Sequence, residues 1–261
     1  MRTYQQLAGW RETRREITGS VGFVPTMGAL HQGHAALIRR SVEENEFTVL
    51  SIYVNPTQFN NPNDLAHYPR TRATDLELAR ALGVDAVIAP AYGDLYPDGY
   101  RYRVEETAFS RELCGAHRPG HFTGVLTVVM KLLQLVRPDR AYFGEKDYQQ
   151  YQLVRDMVDS FFMDVSIVPC RTVREEDGLA LSSRNALLDE GGRRTAPRFS
   201  SLLRAELPDA DVCRLLAGAG FGVDYVETRG DRRYGAVTVT GPEREVRLID
   251  NVPMSSAGAI P

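Results

Sequence analysis

The stretch VGFVPTMGALHQGHAALIRRSVEE, residues 21–44, decides the fold. Val21–Thr26 is a short apolar run that stops at a loop, as a buried strand does. From His34 onward, apolar residues recur at helical spacing. Between the two lies MGALHQG, with glycines at 28 and 33 and a histidine at 31. A strand, a glycine loop and a helix in this order form one unit of an α/β sheet, with the loop at the carboxyl end of the strand, where ligands usually bind. The start of the following helix offers unpaired N–H groups and the positive end of a dipole, both favourable for phosphate. Gly28 and Gly33 let the backbone come close to a ligand. His34 at the helix start and His31 one loop step earlier can donate to phosphate oxygens and stabilise charge as it develops. Outside such a frame, two loop histidines read as a surface pair, or as one residue satisfied by the core. The chain has no GxxxxGK[ST] segment, so this is not a P-loop.

The alternation continues outward. FTVLSIYVNP (Phe47–Pro56) reads as a strand, ATDLELARALG as a helix with Gly83 as its C-cap, and DAVIAP as a third strand. GVLTVVMKLLQLVRP is an apolar helix ended by Arg137-Pro138. DRAYFG, DYQQYQLVRDMVDSF and VSIVPC then read as strand, helix and strand. After Asn185 the order changes. EGGRRTAPRFSSLLRAEL and DADVCRLLAGAGF look like helices, and FGVDYVETR, YGAVTVTG and EVRLIDNV like strands. The expected fold class is therefore α/β: a Rossmann-like parallel-sheet domain over residues 1–173, followed by a smaller α+β domain over 174–261. Gly218, Gly220 and Gly222 lack the GxGxxG spacing and follow a helix, so they read as a turn. SSAGAIP (255–261) reads as a loose tail.

Composition narrows the function classes. With 43% hydrophobic and 25% charged residues, the chain can bury a core of useful size. A formal net charge of −3 supplies no basic field for nucleic acid or a membrane surface. Cys114, Cys170 and Cys213 lie far apart with no CxxC pair, which argues against a zinc site or disulfide framework and fits a reducing cytoplasm. No acidic cluster marks a dedicated metal site, so none is expected in the protein. No apolar run approaches a membrane span, and the N-terminus has no signal-peptide core.

Other motifs carry chemistry of their own. FGEKDYQQ sets Lys146 and Asp147 where a strand passes into a helix. Lys146 supplies a point charge for phosphate. Asp147 reads either as an acceptor for a ribose hydroxyl or as a helix cap. VNPTQF ends a strand in Asn55 and Gln58, whose amides suit a small hydroxy acid because they both donate and accept. Ser182, Ser183 and Arg184 in LALSSRN are phosphate-binding groups, or else a helix cap with a surface arginine. Arg118 reads as a possible reach toward a substrate carboxylate and His121 as structural. Phe59, Val129 and Met130 read as core, Gln149 as solvated, and His67 and His117 have no motif around them.

The HxGH of HQGH resembles the signature of the nucleotidyltransferase superfamily. The longer PTMGALHQGHAALI is similar to the pantothenate synthetase (pantoate–β-alanine ligase) family. VNPTQF, YPRT, RPGHFTGVLTVVMKLLQLVRPDRAYFGEKDYQQ and DGLALSSRN agree with that family in order and spacing, and RLIDN resembles its C-terminal strand. The resemblance implies that ATP contacts Met27, Gly28, Ala29, Leu30, His31, Gln32, Gly33 and His34, then Gly144, Glu145, Lys146 and Asp147, and then Val173 with Leu181, Ser182, Ser183 and Arg184. Leu181 stands where the family is expected to carry methionine. The resemblance also implies that Gln58 and Gln150 contact pantoate, with Gln58 later contacting β-alanine and Asn55 nearby.

The activity so implied is ATP-dependent joining of pantoate to β-alanine through pantoyl adenylate, releasing AMP and pyrophosphate. His34, His31, Lys146, Ser182, Ser183 and Arg184 would be the catalytic set, with Mg2+ accompanying ATP. The second domain would act as a lid, and the protein would be a cytoplasmic homodimer. A different nucleotidyltransferase is disfavoured by VNPTQF and FGEKDYQQ. A regulatory ATP-binding protein without catalysis is disfavoured by the intact charged set. The segment after Asn185 is shorter than the resemblance implies.

Overall fold

The computed structural model describes residues 1–242 and 244–254; the expected tail SSAGAIP lies outside them. The chain divides into two compact units. One is Met1–Glu145 with Gln149–Arg171, and the other is Lys146–Tyr148 with the described residues from Thr172 onward.

The first unit carries a six-stranded sheet of β1 (Arg2–Tyr4), β2 (Val21–Thr26), β3 (Phe47–Ile52), β4 (Ala86–Ile88), β5 (Arg140–Gly144) and β6 (Ser166–Cys170). Its order is β1-β4-β3-β2-β5-β6 and every pairing is parallel. Parallel neighbours need crossovers long enough to hold a helix. The helix Gln32–Glu44 joins β2 to β3, and Arg72–Ala81 lies between β3 and β4. The chain then returns through the helix His121–Val136 to place β5 on the other side of β2. The strand order therefore reverses between β2 and β5, and their carboxyl ends, Thr26 and Gly144, flank the crevice where such sheets bind ligands.

Apolar periodicity explains the packing. Leu37 and Ile38 of the first crossover helix bury against Val24 and Leu50 of the sheet, with Ala79 and Val87 in the same cluster. Each aliphatic side chain so buried contributes roughly 1.5–3 kcal/mol. Gly83 ends the helix Arg72–Ala81 as expected, with φ +86°. Val84 N bonds Ala79 O and Gly83 N bonds Arg80 O, the two bonds of a Schellman cap.

Three features depart from the sequence reading. The strand expected over Phe47–Pro56 stops at Ile52, and Pro56–Gln58 forms a 3-10 turn capped by Asn55. The N-terminus, to which the sequence reading assigned no element, forms the edge strand β1 and the helix Leu7–Glu16. Trp10 of that helix is fully buried and donates to Leu135 O, while Arg14 donates to Val136 O and Arg137 O. These bonds satisfy carbonyls left open at the end of the long apolar helix. Finally, the single helix expected from EGGRRTAPRFSSLLRAEL is two, Glu190–Thr195 and Pro197–Leu203. Pro197 lacks an N–H and starts the second of them.

The second unit packs the helices Pro197–Leu203 and Asp209–Gly218 with an antiparallel sheet of β7 (Phe221–Arg229), β8 (Arg232–Thr240) and β9 (Glu245–Pro253). Phe199, Leu203, Leu216, Val237 and Leu248 form its core. Gly220, with φ +93°, turns the chain from helix into β7, as the glycine cluster suggested.

Candidate active site

The loop after β2 is built from its strand outward. Pro25 cannot donate to the sheet ladder. Hydroxyls serve in its place: Thr26 Oγ1 donates to Ser51 O at 2.6 Å, and Ser51 Oγ accepts from Thr26 N. Thr26 Oγ1 also accepts from Gly28 N. Gly28 and Ala29 are both left-handed, with φ +82° and +50°. A Cβ on Gly28 would meet Asp75 Oδ2 at 3.0 Å and Ile52 at 3.1 Å. Ala29 is costly in this conformation, and Asp75 holds it there. The Asp75 carboxylate accepts from Ala29 N at 3.0 Å and Leu30 N at 2.8 Å, and Thr71 Oγ1 donates to it at 3.1 Å. Sequence reasoning missed Asp75. Its signal was a carboxylate on the same helical stripe as Ala79, the other buried residue of that helix.

His31 is the N-cap of the helix Gln32–Glu44 and His34 is its third residue. His31 Nδ1 accepts from Gly33 N at 3.1 Å, and His34 Nδ1 accepts from His31 N at 3.3 Å. The two imidazoles thus form a reciprocal capping box, with ring centroids 4.1 Å apart. An Nδ1 that accepts carries no proton, so each neutral ring holds its proton on Nε2. The result is a pair of N–H donors at a helix N-terminus, suited to phosphate oxygens.

The amide cluster lies in the same unit. Asn55 is buried, and both of its amide protons are committed: Nδ2 donates to Gln58 Oε1 at 3.0 Å and to Gly124 O at 3.2 Å. Its Oδ1 accepts from Tyr96 and Thr57. Asn55 therefore fixes Gln58 from behind. Gln58 Nε2 sits 3.2 Å from Met27 Sδ, so the amide lies against the loop that leads to the histidines. His121 Nδ1 donates to Gln58 O at 2.9 Å, and Arg118 donates to Gln58 O and to Asn60. His121 and Arg118 thus meet on the same carbonyl. Gly124 permits this approach, since a Cβ there would collide with the Thr57 carbonyl. Burial pushes the Tyr96 hydroxyl up to about 12.

Gln150 is half-buried on the helix Tyr148–Ser160. Gln149, expected to be solvated, is buried instead. It donates to Phe109 O and Glu112 O and accepts from Cys114 N, pinning that segment. Of the three apolar residues expected in the core, Val129 is buried, while Phe59 and Met130 are half-buried.

In the second unit, Lys146 and Asp147 lie in the 3-10 turn Glu145–Asp147 that precedes the helix, with Nζ and Oδ2 3.9 Å apart. Val173 and Leu181 face one another across a hairpin, where Leu181 N donates to Val173 O. Arg174 and Ala180 form its bridge. Arg193 pairs with Glu175 and Asp177, and Asn185 donates to Glu175 and to Ala180 O. Ser182 caps the turn Ser183–Leu187 through Arg184 N. The hairpin thus gathers Val173 and the Leu181–Arg184 run on one braced element. Among the described residues, no group of three or more His, Cys, Asp or Glu could hold a metal ion, and no helix is long and apolar enough to cross a membrane.

The family model described as pantoate-beta-alanine ligase matches residues 1–253. A pantothenate synthetase of Bdellovibrio bacteriovorus is 53% identical over 252 residues, covering 97% of this chain and 98% of that protein. One from Legionella pneumophila is 48% identical, covering 96% and 99%. The short segment after Asn185 is therefore shared with these relatives. Among solved structures, a pantoate-beta-alanine ligase of Francisella tularensis, complexed with beta-gamma ATP and beta-alanine, superposes with a TM-score of 0.91 at 39% identity, covering 97% of both chains. A pantothenate synthetase of Thermus thermophilus gives 0.87 at 42% identity, covering 97% of this chain and 99% of that one. On this evidence the chain belongs to the pantoate–β-alanine ligase family.

Proposed function

We propose that the chain condenses pantoate with β-alanine at the expense of ATP, through a pantoyl adenylate. The pantoate carboxylate attacks the α-phosphorus, the bond to the bridging oxygen breaks, and pyrophosphate leaves. The β-alanine amine then attacks the acyl carbon, and AMP departs with the former carboxylate oxygen. Adenylation turns a poor electrophile into a reactive one, so no protein nucleophile is needed.

The observation that carries this reading is the contact of Gln58 with Met27. It sets an amide suited to a hydroxy acid beside the loop that presents two imidazole donors. His31 and His34 stabilise charge on the phosphates from the helix start. Backbone from Met27 through Gly33, with Gly144 and Glu145, lines the nucleotide. To the second unit belong Lys146, Asp147, Val173, Leu181, Ser182, Ser183 and Arg184, which we assign to ATP as well. Gln58 and Gln150 hold pantoate, and Asn55 acts by fixing the Gln58 carboxamide.

Magnesium would accompany the triphosphate and offset its charge. The second unit serves as a lid that keeps water from the acyl adenylate. The same reading takes the protein as a cytoplasmic homodimer, which sedimentation and cell fractionation test. For the chemistry, exchange of labelled pyrophosphate into ATP is measured without β-alanine. It should depend on pantoate. Exchange that ignores pantoate, or that waits for β-alanine, would contradict a pantoyl adenylate.

A further inference from the structure

We infer that Asn251 is a positioning residue for Lys146, and that with Asp250 it ties two ATP-binding segments of the second unit to one strand. The inference rests on the proposed assignment of Lys146 and the 173–184 hairpin to ATP. The two residues are neighbours on β9, so their side chains point to opposite faces of the sheet.

Asn251 is 3% exposed, and its Nδ2 donates to the Lys146 main-chain carbonyl at 2.9 Å. Its Oδ1 accepts from Arg232 Nη1 at 2.5 Å. The Arg232 guanidinium lies 3.8 Å from the centroid of the Tyr148 ring, two residues beyond Lys146. Lys146, Asn251, Arg232 and Tyr148 therefore close a ring of contacts around the 3-10 turn Glu145–Asp147. That turn needs outside support, because 3-10 hydrogen bonding is poorer than α-helical bonding. A lysine acts as a point charge on a flexible stem, so its reach is set by where its main chain is fixed.

Asp250, on the other face, is also 3% exposed. Arg174 grips it with both terminal nitrogens, at 2.7 and 2.8 Å, and Ser200 Oγ donates to it at 2.7 Å. Its Oδ1 also accepts from Asn251 N at 2.8 Å. A buried carboxylate so fully satisfied is a firm anchor. Arg174 adjoins Val173 and bridges Ala180, so this anchor sets the hairpin that carries Leu181–Arg184. One dipeptide thus fixes both the lysine and the Ser-Ser-Arg arm. A misplacement of about 1 Å in such groups costs on the order of 100-fold in rate.

The test is a double-mutant cycle in the full-length protein, read by pantoate-dependent pyrophosphate exchange. Asn251→Asp keeps shape and the acceptor for Arg232, but turns an acceptor toward the Lys146 carbonyl. Its kcat should fall by up to about 100-fold, the cost of a misplacement of about 1 Å, with the KM for pantoate unchanged. Lys146→Ala should fall further, and the double variant should be no worse than Lys146→Ala. Losses that multiply would show that Asn251 does not act through Lys146, and would overturn the inference. Wild-type exchange by Asn251→Asp beside a crippled Lys146→Ala would overturn it too, leaving the assignment of Lys146 standing. Wild-type exchange by Lys146→Ala would remove that assignment itself. Asn251→Ser, which shortens the reach without adding charge, goes through the same cycle, with circular dichroism confirming the fold. Multiplying losses in either folded variant contradict the inference.

Discussion

Asp75 holds Leu30: its Oδ1 accepts the Leu30 amide at 2.8 Å from a helix more than forty residues along the chain. Its Oδ2 takes the neighbouring Ala29 amide at 3.0 Å. Between them these bonds stabilise the left-handed pair at Gly28 and Ala29 and so aim the chain at the His31 cap. The link from fold to chemistry runs through this carboxylate, which itself needs no contact with substrate.

Asp75→Asn tests that link. The carboxamide keeps the shape but can face the loop with only one acceptor, so one half-buried amide loses its partner. The expected cost is about 1–3 kcal/mol of stability, read by urea unfolding, together with slower pyrophosphate exchange. A variant unchanged in both would show that the loop holds itself.

His34 has two jobs that substitution can separate. His34→Ala removes the acceptor for His31 N and the Nε2 donor together. Loss of the cap costs roughly 1 kcal/mol, and loss of the donor costs about 100- to 1000-fold in exchange rate. Asn at this position can restore an acceptor to the cap, so His34→Asn should recover stability without the rate. Wild-type exchange by a folded His34→Ala would take His34 out of the catalytic set.

Gln58→Ala and Gln150→Ala should weaken pantoate more than ATP. Each orphans a polar group of the hydroxy acid, at roughly 1–3 kcal/mol. Calorimetric titration of both ligands checks this. A fall in ATP affinity alone would reverse the map of the two pockets.

Tyr96 gives a pH signature. Burial raises its hydroxyl from the ordinary 10.0 to about 12, so folding favours the protonated form. Its contribution to stability is full below pH 10 and is lost as pH rises from about 10 to about 12. Tyr96→Phe gives up the bond to Asn55 but has nothing to ionise. Between pH 10 and pH 12, its Tm should fall less steeply than that of the wild type. Parallel curves would mean that Tyr96 ionises as freely as an exposed tyrosine.

What was legible in the sequence was local. The β2 run, the glycine loop and the helix from Gln32 sit side by side in the chain, and so does the Gly83 cap. The rest depends on partners far apart in sequence. Trp10 has no visible role until Leu135 is beside it, and Gln149 none until the 109–114 segment folds over it. Asp75 reads as one of several acidic helix residues until the Ala29 and Leu30 amides arrive. The edge strand β1 has three residues, too short for an alternation to declare itself, and its pairing with β4 makes it a strand. Asn55 was read as a substrate neighbour because its amide is versatile; only the structure shows that Gln58, Gly124, Thr57 and Tyr96 already engage it.

The central claim is that the carboxylate of pantoate becomes bonded to the α-phosphate, and the most direct measurement follows its oxygen. Pantoate labelled with heavy oxygen in the carboxylate is turned over with ATP and β-alanine, and the nucleotide product is weighed by mass spectrometry. Attack on the α-phosphorus makes a carboxylate oxygen the bridge of the acyl adenylate, and that oxygen leaves with the phosphate when the amine attacks. AMP should therefore carry one labelled oxygen per turnover. ADP together with labelled inorganic phosphate would place the attack on the γ-phosphate and contradict the mechanism.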